Sequence, residues 1–280
     1  MTFEELEQKR QIYLRKSRQI WLVGIIVGVF CSIVGFIFTP SSIFFLTPFL
    51  IISFFFLPLL FVGSIGIIFM AGRDWDTYKK YYKGYFMSKV LSSTLQSYHY
   101  QRDGMDKRIL TSTGMIDVGT TYFSNDLVSG NYKKCHFYQA DVTIKKEYTN
   151  NHEVTVFKGR WMVFEYPTNF NYRLEIVGKK FRIAVSPEGL NRHELESIDF
   201  NHSFRLYAEN GFETYYILNP AIIDKIEQLG AKYKYDIILC FVDNRLHIGI
   251  NNNKDSFEPP RPRTPLNEQV EFQKTILILS

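Results

Sequence analysis

The chain has 280 residues, 33 basic and 28 acidic, for a formal charge of +5 at neutral pH, with three cysteines. So small a positive excess does not favour a nucleic-acid-binding protein. An odd number of cysteines with no CxxC pairing excludes a disulfide framework, and Cys31, Cys135 and Cys240 read as small apolar fillers.

The charge is unevenly placed. Ile20 to Met70 contains no Asp, Glu, Lys or Arg. A helix crosses a bilayer in about 20 apolar residues, so the run predicts two transmembrane helices, about 20–38 and 44–70. The break falls at "FTPSSI", where Pro40 ends one helix and Ser41 or Ser42 caps the next. A cleavable signal peptide does not fit, because the apolar part is too long and lacks a small-residue cleavage site. Lys9, Arg10, Arg15, Lys16 and Arg18 precede the run, and Arg73, Lys79, Lys80, Lys83 and Lys89 follow it. Basic flanks stay cytoplasmic. The expectation is a multi-pass protein of the bacterial cytoplasmic membrane with both termini inside and residues 1–19 as a basic lead. Gly24, Gly28 and Ser32 recur every four residues and form a candidate helix-packing stripe, within the chain or between copies.

Residues 71–99 predict a juxtamembrane helix. Tyr78, Tyr81, Tyr82 and Tyr85 share one face, edged by Lys79 and Lys83. With Trp21 and Trp75 they make a candidate membrane-interface set in contact with lipid, the other reading being that the rings pack on protein.

Residues 100–260 predict a mostly antiparallel β domain. Strands are expected over 133–144 and 154–166, and a hairpin over 172–185 turning near Gly178. In "FNHSFRLYAENGFETYYILNP", Asn210-Gly211 predicts a tight turn between strands Ser203–Glu209 and Phe212–Leu218. Asn219 then caps a helix with Pro220 at its first position, an apolar face of Ile222, Ile223, Ile226 and Leu229, and Gly230 at its end. A final hairpin turns at Asp243-Asn244. Residues 261–280 form a Pro-rich tail with a candidate helix from Leu266. The fold class is therefore α+β: a transmembrane helical hairpin, a helix, then a mostly antiparallel β domain.

Motifs for chemistry are absent. "RHELES" begins like HExxH, but Ser197 stands where the second His is needed. His99, His136, His152, His193, His202 and His247 show no ligand spacing, and there is no P-loop, GxGxxG or GxSxG. No catalytic residue, cofactor or metal is expected. An acid/base pair drawn from Asp199, Glu209 or Glu213 is the enzymatic alternative.

The order of these pieces resembles the DUF3137 family of bacterial membrane proteins, whose function is unknown. The resemblance runs from about residue 5 to Pro260. It rests most specifically on Phe157-Lys158-Gly159, on Tyr216-Ile217-Leu218-Asn219-Pro220 and on Phe257-Glu258-Pro259. Asn219 stands where the family commonly has Thr. The resemblance implies the layout and no activity. The functional expectation is a membrane-anchored, non-enzymatic interaction or scaffold protein that contacts another membrane or cytoplasmic protein, with Trp161 as a candidate contact. A homo-oligomer, acting as a subunit or accessory of a membrane complex, channel or transporter, is the alternative.

Overall fold

The computed structural model describes residues 2–37, 73–85, 97–132, 135–148, 152–185, 188–255 and 257–259, with Lys89 and Leu91. The chain divides into two compact units, one of residues 1–88 with 258–280 and one of residues 89–257.

In the first unit, α1 (Phe3–Ile37) packs along α2, residues 73–85. Thr2 and Glu5 form a reciprocal capping box at the start of α1: the Thr2 amide donates to Glu5, and the Glu5 amide donates to the Thr2 hydroxyl. The helices run antiparallel, since Phe3 meets Tyr85 while Tyr13 meets Trp75 and Tyr78. Leu6, Tyr78, Tyr82 and Tyr85 form one buried cluster with Trp75 against it. The tyrosine stripe is thus a helix–helix seam, and the membrane-interface reading of Tyr78, Tyr82, Tyr85 and Trp75 is corrected. Of that set, Tyr81 is partly exposed beneath the Lys9 ammonium, Lys79 and Lys83 pair with Glu258, and Trp21 stands exposed on α1.

The expectation of a multi-pass membrane protein is overturned. Among the described residues no helix is long and apolar enough to cross a membrane. The first half of α1 is strongly charged. The second expected span, 44–70, and the tail helix lie outside the described residues. Of the small-residue stripe, Gly24 has nothing within 4 Å of where a Cβ would stand. The side chain of Ser32 and the surroundings of Gly28 lie outside the described set.

Among the described residues the second unit holds one nine-stranded sheet, ordered β1-β2-β3-β4-β9-β8-β5-β7-β6, in which every pairing is antiparallel. The strands are β1 (Tyr98–Asp103), β2 (Thr121–Tyr132), β3 (Cys135–Tyr148), β4 (His152–Glu165), β5 (Leu174–Gly178), β6 (Asn191–His193), β7 (Phe204–Ala208), β8 (Ile237–Val242) and β9 (Arg245–Asn251). Central strands buried on both faces read as continuous apolar runs, as in "IILCFV". Short helices α3 (Lys107–Thr111), α4 (Ile198–Ser203) and α5 (Gly211–Ile217), with the longer α6 (Pro220–Lys232), complete the unit.

One sheet face carries the main apolar core: Ala140, Val142, Ile144, Phe157, Trp161, Val163, Val177, Ile238 and Cys240. A cover lies over it, contributed by Met105–Ile116 and Phe181–Ala184. The two parts of the cover are tied by an Ile116–Ala184 bridge, by the Asp117 amide donating to the Ile183 carbonyl and by the Val185 amide donating to the Met115 carbonyl.

Three expectations need correction. Residues 172–185 are not a hairpin: β5 stops at Gly178 and pairs with β7 and β8, while Phe181–Ala184 leaves to join the cover. Phe212–Leu218 is not a strand after an Asn-Gly turn, because Gly211–Ile217 is helical. Among its described side chains the buried ones are Thr214 and Leu218, four apart, and the Leu218 amide donates to the Thr214 carbonyl at 2.8 Å. Finally, α6 runs past Gly230 to Lys232. Gly230 is a contact glycine, where an added Cβ would meet the Phe204 ring at 2.5 Å. Its start is as expected, with the Asn219 side chain accepting from the Ile222 amide.

Candidate functional site

Two places in the second unit concentrate chemistry. The first is buried on the sheet face opposite the main core. Arg160 lies directly across from Asp141 in the β3–β4 ladder and from Ile250 in β9. Alternation along "FKGRW" turns Phe157, Gly159 and Trp161 to the core and Arg160 to the other face. Beside Asp141 stand Asp126 and Asp255, and the three carboxylates offer oxygens within 4.8 Å of one another. Asp126 sits at an irregularity in β2, with φ of 57°. A bulge of this kind re-aims a side chain, and Asp is among the few non-glycine residues that accept a left-handed backbone.

The hydrogen bonds fix the cluster. The Tyr100 hydroxyl donates to Asp126 at 2.5 Å, and Asn125 donates to Asp126 at 2.6 Å and to Asp255 at 3.4 Å. The Phe257 amide donates to Asp141 at 3.1 Å, and the Phe257 ring lies 5.2 Å from the Arg160 guanidinium. Two of the sequence pieces singled out above, Phe157-Lys158-Gly159 and Phe257-Glu258-Pro259, therefore lead into one buried centre.

Burial pushes the Asp141 carboxyl well above its ordinary range, against the pull of Arg160, and its hydrogen bond with Asp255 pushes the same way. Arg160 is pulled down by burial, and Asp141 opposes that. The arrangement is three clustered carboxyls beside a buried guanidinium. Asp126, Asp141 and Asp255 could also hold a cation, but Arg160 already supplies positive charge facing Asp141. Chemically this is a polar lock between strands β2, β3 and β4 and the Asp255–Phe257 segment.

The second place is an open cleft of about 270 Å³ between β6, β7 and the helix Gly211–Ile217, lined by His193, Glu194, Leu195, Leu206, Thr214 and Tyr215. Gly211 packs on the His193 imidazole, where a Cβ would approach Nδ1 to 2.7 Å. His193 Nε2 is buried with no hydrogen-bond partner among the described residues. Tyr215 and Tyr216 are 52% and 85% exposed. Among the described residues β6 ends the sheet, and one of its edges has no strand beside it.

Trp161, the expected partner contact, is fully buried. Its ring lies over Gly249, its neighbour across the ladder, and its indole N–H donates to His247 at 3.4 Å. Burial and Arg245 hold His247 down to about 4, so it stays neutral and accepts that bond. Of the alternative acid/base set, Asp199 and Glu209 lie on the α4–β7 segment away from the carboxylate cluster, and the Glu213 side chain lies outside the described set. The cluster itself escaped sequence reading because Asp126, Asp141 and Asp255 are far apart in the chain. The one local signal was charge inside apolar runs, "QADVTI" and "GRWMV".

The model of the family described as "Protein of unknown function (DUF3137)" matches residues 155–279, and over those residues the chain is similar to this family. The match takes in all three sequence pieces that carried the resemblance. No curated protein matches the sequence. Among solved structures, the crystal structure of the mycobacterial trehalose monomycolate transport factor A, TtfA, is similar with a TM-score of 0.39 and 9% identity, over 70% of this chain and 92% of that one. A likeness of that size carries nothing about activity.

Proposed function

We propose that the second unit is a non-enzymatic interaction module that holds an extended segment of a protein partner along β6 and in the adjoining cleft. The observation that carries this reading is the pair of exposed tyrosines, Tyr215 and Tyr216, beside a cleft at a sheet edge with no neighbouring strand among the described residues. An extended peptide adds to such an edge through main-chain hydrogen bonds, while a side-chain pocket selects it. Tyrosine is enriched at interfaces because its ring is rigid and its tip polar. The enzymatic alternative asks for a shifted carboxylate in an open cleft. Among the described residues the carboxyls pushed upward are Asp141, Glu175 and Asp236, and none of them lines this cleft.

A photo-crosslinking residue at Tyr216 tests the proposal against the same residue at Phe123, which is 57% exposed on β2. The expected result is a discrete adduct from position 216 alone, lost when Tyr215 is replaced by Ala. Equal adducts from both positions, or none from 216, overturn it.

A further inference from the structure

Another buried carboxyl lies elsewhere, in the middle of the main-core face. Glu175 of β5 is 0% exposed, and neither of its oxygens has a hydrogen-bond partner among the described residues. It stands across from Cys240 on β8 and Tyr207 on β7. Two arginines flank it on the same face: Arg173, two residues earlier, and Arg205, which pairs with Val177 one step along the ladder. Both are near enough for their charge to favour the ionised carboxyl. Neither is bonded to it. The Arg173 Nη2 donates to the Thr113 carbonyl at 3.0 Å, and the Arg205 Nη2 donates to the Phe181 carbonyl at 3.2 Å. Thr113 and Phe181 belong to the two parts of the cover. The Nε of each arginine is buried with no partner.

Two cations thus each aim one donor at the cover while a carboxyl beside them has none. That holds together only while Glu175 is neutral, because an ionised carboxylate without a donor is the costliest group a core can contain. We infer that Glu175 is a protonation switch for the cover: loss of its proton to solvent draws Arg173 and Arg205 onto the carboxylate and releases the Thr113 and Phe181 carbonyls, loosening residues 113–117 and 181–185. The facing titratable and charged groups are Arg173, Arg205, Tyr207 and Cys240. Lys180 and Arg182, on the cover's second part, pull on Asp236 instead.

The direction follows from burial, which holds the Glu175 carboxyl up at about 8 against an ordinary 4.5, the arginines opposing. A folded-state value raised above the unfolded one means that stability is highest below about 4.5. It falls as pH rises and has lost its full share above about 8. The switch therefore closes the cover at neutral pH and opens it in mild alkali.

Hydrogen exchange of the full chain and of Glu175→Gln, compared at the same pH values, tests this without any correction for intrinsic exchange. At pH 6 the Asp117 and Val185 amides are expected to be equally protected in both proteins. At pH 9 they are expected to exchange at least tenfold faster in the unmodified protein. Equal protection at pH 9 overturns the switch. Should Glu175→Gln misfold, carbon-13 NMR titration of the Glu175 carboxyl in the unmodified protein decides instead: a midpoint near 8 is expected, and one below 5 overturns the inference.

Discussion

Gly159 has a neighbour that admits no side chain: a Cβ there would stand 1.9 Å from the Ile250 carbonyl oxygen across the β4–β9 ladder. Backbone cannot move aside as a flexible side chain can. Gly159→Ala is therefore expected to destabilise the protein by about 2–4 kcal/mol, measured by urea unfolding. Gly24→Ala, with nothing within 4 Å, should instead be neutral or stabilising by up to about 1 kcal/mol, since Ala favours helix over Gly. His247 gives a second residue-level expectation. Its folded value, near 4, lies below its ordinary 6.5, so its contribution is full above 6.5 and drains away as pH falls toward 4. About 2–3 kcal/mol should be lost across that window, and His247→Phe should flatten this limb of the stability–pH curve.

At the level of elements, much was legible. The Asn219 cap, the Pro220 start and the Asp243 turn carry their geometry locally: Asn219 accepts from an amide three residues on, and Asp243 adopts a φ of 53°. Asn219→Ala should cost about 1 kcal/mol by thermal unfolding, with no change in sheet content. The strands beside long apolar runs were legible for the same reason, since alternation and β-branching are local properties. What failed was decided at a distance. "GFETYYIL" has strand composition, yet it is helical because burial selects Thr214 and Leu218, a helical spacing, and leaves Tyr215 and Tyr216 outside. Phe181–Ala184 reads as the return of a hairpin, but β7 and β8 already occupy both sides of β5. The tyrosine stripe was seen correctly as one face, and only α1, some 70 residues earlier in the chain, determines what that face touches. Asp126, Asp141 and Asp255 had no spacing to read, because strand register alone brings them together.

For the whole molecule, the sheet lies entirely within residues 98–251 and its polar lock closes at Phe257. A fragment of residues 89–259 is accordingly expected to unfold as one cooperative transition with the β signal of the full chain, by circular dichroism. The lock itself couples three strands to the segment after β9. Arg160→Met should cost about 3–5 kcal/mol, because it strips the buried carboxylates of their positive charge. Adding Asp141→Asn should recover part of that, a non-additivity that a double-mutant cycle in urea would measure. The strand order has a further consequence, for how the protein is made. β9, last in sequence, lies between β4 and β8, so the two halves of the sheet meet only through it. A ribosome completes β4 at Glu165, 80 residues before Arg245. Throughout that interval the long, apolar flank of β4 waits uncovered. Any chain stopped short of Asn251 would leave that flank as a ready template for a neighbouring nascent chain. Assembly thus hangs on the arrival of its final strand, and early termination yields sticky fragments rather than a smaller folded protein.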